Sequence, residues 1–279
     1  MYETPILQVK HLQKQFGKGC PHCLDKASVD LEKNYCTVCG TVHALRDVSF
    51  DLYPGEVLGI VGESGSGKST MLQGLYFDSD MTSGEVYINQ PELADQNVLT
   101  LSSQQKRYIR NYIYGMVYQN PVQGLKMKFS SIGNIAEKMI AAGNRNVSNI
   151  EKRSKELLEN VHIPLRRMKE EPQNFSGGMQ QRVQIAKALS NNPPILFLDE
   201  VTTGLDLSVQ ASVLDLIKQI QRELHISMVV VSHDLAVIRM LADRSIVMLN
   251  GEIIENGLTD QILEDPQHEY TQQLVYSLL

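Results

Sequence analysis

The sequence predicts an α/β protein with a mainly parallel sheet and a smaller antiparallel sheet beside it. Three observations carry this expectation. Short apolar runs suited to buried strands, at residues 57–61, 194–198 and 228–231, and a strand at 114–119 alternate with stretches of helical periodicity. Two segments of alternating apolar and polar residues, 6–12 and 48–52, precede the first buried run and read as half-buried strands. A glycine-rich loop, Gly62-Glu63-Ser64-Gly65-Ser66-Gly67-Lys68-Ser69-Thr70, joins the first buried run to a segment able to open a helix.

In chain order, the strand at 48–52 ends at the turn Tyr53-Pro54-Gly55-Glu56, and residues 84–89 form a further strand after the loop. Residues 90–110 are polar and read as loop plus helix. Residues 114–119 are a strand ending in a polar residue. From about 132 to 161 the pattern is helical, with Lys, Glu and Asn on the exposed face, and Pro164 and Pro172 break it. Residues 194–200 are an apolar strand delivering two carboxylates at its end. Val209, Val213, Leu214, Ile217, Ile220 and Leu224 recur at helical spacing and are assigned to core packing. Residues 228–234 are a buried strand with a polar exit, and 246–255 a hairpin turning at Asn250-Gly251.

Composition narrows the function. The 279 residues, 42% hydrophobic and 21% charged, are those of an ordinary globular protein. A net charge of −6 argues against a nucleic-acid partner, whose footprint is a basic stripe. No run of about 18 apolar residues spans a bilayer. The start Met1-Tyr2-Glu3-Thr4-Pro5 lacks the basic and apolar parts of a signal peptide. The expected location is the cytoplasm, with any membrane link made through a partner.

The loop fits the pattern G-x-x-x-x-G-K-[ST]. Its glycines let backbone N–H groups turn inward toward phosphate oxygens, and the helix start adds its positive dipole. Lys68 would reach the β- and γ-phosphates, and the Ser69 hydroxyl would take a Mg²⁺ position. Asp199, at a strand end, is placed to hold Mg²⁺ directly or through water. Glu200 follows it and is placed to polarise an attacking water. Ser176-Gly177-Gly178, before a helix, offers a hydroxyl and bare amides as a second anion site. Since the first loop already holds a triphosphate, the second site is expected to cover the nucleotide of a second chain.

Together these segments resemble the nucleotide-binding domain of the ATP-binding-cassette superfamily, over nearly the whole chain. The resemblance implies one ABC ATPase domain across residues 1–279. Within it would lie an antiparallel β subdomain, a helical subdomain at 120–190 holding the signature segment, and a four-cysteine insert at 19–41. Ser176-Gly177-Gly178 matches the family signature, with Phe175 for the usual Leu and Met179 for the usual Gln. The resemblance further implies that Phe16 stacks on adenine, Gln119 contacts Mg²⁺ and the attacking water, and His233 senses the γ-phosphate. Gly204-Leu205-Asp206 matches the loop that crosses the dimer interface. Val201 stands where most members have Pro, and a local change of backbone is expected there. The implied reaction is hydrolysis of ATP to ADP and phosphate, with Mg²⁺, by a dimer with an identical or sister subunit.

A narrower resemblance lies in Gly115-Met116-Val117-Tyr118-Gln119-Asn120-Pro121, Gly124-Leu125 and Gly133-Asn134-Ile135. These are similar to an ATPase subunit of the bacterial carbon–phosphorus lyase system, which implies docking on a soluble phosphonate-cleaving complex. The tail Asp265-Pro266-Gln267-His268-Glu269-Tyr270-Thr271 is shared with peptide and nickel importer ATPases. Such importers usually carry Ser-Leu-Asn-Pro after the glutamine loop, where this chain has Gly124-Leu125-Lys126-Met127. The alternative is therefore an importer ATPase, peripheral to the membrane on a permease. Cassette proteins acting on ribosomes or DNA usually have two cassettes or a long coiled-coil insert, and neither occurs in these residues.

Cys20-Pro21-His22-Cys23 and Cys36-Thr37-Val38-Cys39-Gly40 form two C-x-x-C pairs. Four thiolates suit tetrahedral Zn²⁺ in a structural role. A disulfide framework and an iron–sulfur centre are the alternatives. The insert is expected near Phe16, and no catalysis is expected from it.

Overall fold

The computed structural model describes residues 4–24 and 31–276; residues 1–3, 277–279 and residues 25–30 of the expected cysteine insert lie outside them. In chain order the strands are β1 (Leu7–Phe16), β2 (Leu31–Glu32), β3 (Tyr35–Cys36), β4 (Val42–Leu52), β5 (Val57–Val61) and β6 (Ser83–Ile88). They continue with β7 (Tyr114–Val117), β8 (Ile195–Asp199), β9 (Ser227–Val231), β10 (Arg244–Leu249) and β11 (Glu252–Leu258). The chain divides into two compact units, residues 1–101 with 231–279, and residues 102–230.

In the first unit an antiparallel sheet runs in the order β2-β3-β4-β1-β6. Leu7, Val9 and Leu12 of β1 are buried, and Leu7 faces Leu52 while Val9 faces Phe50. The alternation in the sequence ends at Leu12, yet the strand continues to Phe16. A bulge explains the difference. His11 at φ 51 and Asp47 at φ 62 face one another, with Nδ1 2.6 Å from Oδ1, and the pairing register shifts there.

The same unit holds the wholly buried β5, which pairs in parallel with β10 from Leu58↔Arg244 to Val61↔Val247. The β10–β11 hairpin turns at Asn250 and Gly251, both at positive φ, as the Asn-Gly pair requires for a two-residue connection. The helix Leu235–Leu241 packs on β5 at Gly59. A Cβ there would lie 2.6 Å from Ile238 Cγ2 and 2.9 Å from Ala242 Cβ, so only glycine permits this approach.

In the second unit β8 lies between β7 and β9, and β7 pairs with it in parallel from Tyr114↔Ile195 to Val117↔Leu198. The rings of Tyr114 and Phe197 meet edge-on with centroids 4.9 Å apart. The helix Gly177–Ala188 packs on β7, and the helices Ser131–Ala141, Val147–Asn160 and Leu207–Leu224 pack on that helix. The single helical stretch expected over 132–161 is two helices. Gly143 at φ 91 ends the first, and the Asn146 side chain accepts from Asn149 N to begin the second. Leu224, assigned to the core by its spacing, is 48% exposed because the helix ends there, with His225 in the left-handed region. No helix among the described residues is long and apolar enough to cross a membrane.

Replacing Gly59 by Ala should lower the stability of the folded chain by about 1–3 kcal/mol, because the helix on β5 must shift. Urea unfolding checks this, and an unchanged midpoint would mean the packing at Gly59 is looser than described.

Candidate phosphate loop and candidate catalytic carboxylates

The phosphate loop belongs to the first unit. It leaves buried β5 at Val61 and enters the helix Lys68–Leu75, whose N-cap is Gly67 at φ 104 with no side-chain cap. Two glycines are demanded by close backbone approach. A Cβ on Gly67 would stand 2.3 Å from Ala44 O of β4, and one on Gly62 would stand 2.2 Å from Met248 O of β10. Gly65 differs: at φ +86, a Cβ would meet nothing within 4 Å. The loop is thus wedged at both ends and open at its tip.

Lys68 is only 4% exposed. Its ammonium donates to Gly62 O and Glu63 O, each at 2.8 Å, and lies 3.3 Å from Ser66 Oγ. A buried ammonium, an uncapped helix start and an open glycine tip fit a phosphate ligand. Ser69 and Thr70 follow on the helix, half-buried, while Glu63 and Ser64 are exposed. Phe16 ends β1, 50% exposed, with the Lys14 ammonium 4.8 Å from its ring centroid. His233 is exposed at the exit of β9, directly before Asp234, which caps the next helix through Ala236 N.

The carboxylates belong to the second unit. Asp199 ends β8 and is 4% exposed. Glu200 follows at φ 44, in the left-handed region, and its Oε2 receives Gln119 Nε2 at 3.0 Å and Thr203 Oγ1 at 3.2 Å. Gln119 and Glu200, expected to act on one water, are therefore brought together. Val201 is buried, and it bears on this backbone. A proline at that position would push the preceding residue toward extended conformations; valine leaves Glu200 free to take its positive φ.

Ser176 caps the helix Gly177–Ala188, accepting from Met179 N. Gly178 is required by packing as well as by any anion, since its Cβ would lie 2.2 Å from Val209 Cγ1. The two departures from the signature, Phe175 and Met179, share one partner. The Arg167 guanidinium stacks 4.5 Å above the Phe175 ring and lies 3.3 Å from Met179 Sδ, while Glu170 pairs with it. Asp206 caps the helix Leu207–Leu224, and hydrogen bonds from Ser208 Oγ and Val209 N hold its carboxyl below the usual range.

Several contributors had no assigned role in the sequence. Gln184 accepts from Tyr118 N at 2.8 Å and donates to Tyr118 O at 3.1 Å, while Gln181 donates to Gln119 O at 3.1 Å. These amides replace strand pairing, which is why β7 stops at Val117 and not at Gln119. Two buried glutamines three apart on a helix were the signal available for this clamp. In the first unit, the Tyr270 hydroxyl accepts from Glu63 N at 2.8 Å and ties the tail to the phosphate loop.

The four cysteines converge in the first unit, their sulfurs all within 4.8 Å of one another. Individual Sγ separations are 3.8 Å for Cys20–Cys23, 3.9 Å for Cys20–Cys36 and 3.6 Å for Cys23–Cys39. None of the four forms a disulfide. The hydroxyl and N–H of Thr41 hold the Cys39 thiol down to about 6.

Residues 45–203 match a family described as ABC transporter. The phosphonates utilization ATP-binding protein PhnK of Escherichia coli is 46% identical over 233 residues, 84% of this chain and 90% of that protein. The oligopeptide transport ATP-binding protein OppD of Bacillus subtilis is 39% identical over 251 residues, 89% of this chain and 70% of that protein. Among solved structures, the ATP-binding cassette MJ0796, a dimer in a post-hydrolysis state with ADP and phosphate, superposes with a TM-score of 0.75. It is 30% identical, covering 91% of this chain and 98% of that one.

Replacing Gln184 by Met would remove both Gln184 hydrogen bonds from the Tyr118 backbone and loosen Gln119. The expected result is about 1–3 kcal/mol of lost stability and a fall of about tenfold or more in ATP turnover. Urea unfolding and phosphate release measure the two; wild-type turnover would show that the clamp does not position Gln119.

Proposed function

The chain belongs to the ABC transporter family and is an ATPase of the cassette fold, and we propose that it drives conformational change in a carbon–phosphorus lyase complex. In this reading two ATP molecules are enclosed by a dimer, with an identical or a sister subunit. Each would lie between the phosphate loop of one chain and Ser176-Gly177-Gly178 of the other. The contact of Gln119 with Glu200, reinforced by Thr203, carries the hydrolytic part of this reading: it aims an amide and a carboxylate at one place.

The residue roles in this reading are those that the loop and carboxylate chemistry and the family resemblance imply. Lys68 turns from its loop carbonyls to the β- and γ-phosphates. Ser69, Asp199 and Gln119 would hold Mg²⁺, which when bound neutralises charge on those phosphates. Glu200 accepts a proton from the water that attacks the γ-phosphorus, and the bond to the β–γ bridging oxygen breaks to leave ADP. His233 donates to the γ-phosphate, Phe16 stacks on adenine, and Asp206 lies at the dimer crossing.

The likeness to PhnK and the Gly124-Leu125 segment support a lyase partner. The likeness to OppD and the tail at Asp265 support the second reading, an oligopeptide or nickel importer subunit working on a permease. The protein would be cytoplasmic in the first case and peripheral to a membrane in the second.

The cysteines are proposed to hold one structural Zn²⁺. A tetrahedron with Zn–S bonds of about 2.3 Å has edges of about 3.8 Å, close to the separations found here. Disulfides need sulfurs about 2.05 Å apart. One zinc per chain by elemental analysis of reduced protein is the expected result, and none would refute the assignment.

Replacing Glu200 by Gln should leave ATP binding within about threefold of wild type while turnover drops on the order of a hundredfold or more. Undiminished turnover would remove Glu200 as the base. Isolation of the native complex distinguishes the partners: phosphonate-cleaving subunits support the lyase reading, and integral permease proteins alone would overturn it.

A further inference from the structure

The cysteine insert reaches the phosphate loop. Strands β2 and β3 turn at Lys33 and Asn34, with Lys33 at φ 61. From this turn Asn34 Nδ2 comes within 3.4 Å of Gly65 O, and Lys33 Nζ lies 4.0 Å from Glu63 Oε1. Both contacts fall on the tip of the loop, where Gly65 leaves open space.

The turn is also tied to the sulfur cluster. Asn34 O accepts from His43 N at 2.7 Å, and Tyr35 pairs with Val42. Two residues beyond Asn34, Cys36 is fully buried, donates its N–H to Thr41 O at 2.9 Å and contributes its sulfur to the cluster. From Val42, β4 runs on to Ala44, whose carbonyl abuts Gly67. One short stretch of backbone therefore connects the cluster with the loop.

Strands of two residues do not hold a hairpin by themselves. A metal ion gathering Cys20, Cys23, Cys36 and Cys39 would supply the missing rigidity. The Lys33–Glu63 pair is long and its side chains are 70% and 43% exposed, so solvent leaves it weak. A triphosphate in the loop carries far more charge than one exposed carboxylate and would draw the Lys33 ammonium to itself. Asn34, meanwhile, engages the Gly65 carbonyl and so biases the orientation of the Gly65–Ser66 peptide unit, whose N–H donates to Glu63 O at 3.2 Å.

We propose that Lys33 and Asn34 form an added phosphate-positioning element over the tip of the loop, and that the metal-loaded cysteine cluster holds them there. Nucleotide affinity is then coupled to metal occupancy. This rests on the ATPase and zinc readings above.

The test is equilibrium titration of the full chain with a fluorescent ATP analogue, zinc-loaded and then after chelation. Lys33→Ala and Asn34→Ala should each raise Kd about three- to tenfold, with kcat at saturating ATP changed far less. Lys33→Arg should keep most of the affinity. Chelation should raise Kd to a similar extent, zinc should restore it, and Lys33→Ala should add little once zinc is gone. Both substitutions are on exposed or half-buried positions, so the variants are expected to fold. Wild-type affinity in both alanine variants would overturn the proposal, as would a wild-type Kd indifferent to zinc. A zinc-loaded wild type that binds no ATP would instead defeat the ATPase reading itself.

Discussion

The ammonium of Lys68, buried inside its own loop, is the constraint on which the first unit is organised. A cation cannot be withdrawn from water without oxygen atoms around it, and the loop supplies them from Gly62, Glu63 and Ser66. Supplying them forces the chain into a turn so tight that Gly62 and Gly67 press on the carbonyls of Met248 and Ala44. The strands carrying those carbonyls, β10 and β4, bound the space the loop can occupy. The site is thus a product of the whole unit, and Lys68 is held among the loop's own oxygens at the start of the helix.

In the second unit the corresponding constraint is the position of one carboxylate. Glu200 sits at a positive φ, a conformation that costs about 1–3 kcal/mol and persists only where its surroundings impose it. Gln119 and Thr203 hold its side chain, and Gln181 and Gln184 hold the backbone from which Gln119 extends. The same helix begins at Ser176, so the signature segment and the strand exit that bears Gln119 are joined through one rigid rod. A displacement of that helix would reach Gln119 through the hydrogen bonds of Gln181 and Gln184, as the proposed function requires. Such coupling is what a device that converts hydrolysis into displacement needs.

Much of this was legible in the sequence wherever local chemistry decides the outcome. The loop, the strand ending in Asp199-Glu200, the Asn250-Gly251 hairpin and the capped helix after Ser176 each follow from residue types at short spacing. What escaped depended on distant partners. The bulge at His11 brings it opposite Asp47 across the sheet, and no periodicity within β1 announces it. Tyr270 meets Glu63 across more than two hundred residues. The stacking of Arg167 on Phe175 turns two apparent departures from a family pattern into one compensated cluster, invisible until the chain folds. Leu224 failed for a simpler reason, since spacing marks a helical face but not where the helix stops.

The central claim is that one chain holds only part of each hydrolytic site. The most direct measurement is ATPase activity per chain across a wide dilution series, with the association state followed in parallel by analytical ultracentrifugation. If catalysis needs a second chain, specific activity falls on dilution and tracks the fraction of dimer. A specific activity that stays constant while the protein is strictly monomeric would contradict the account.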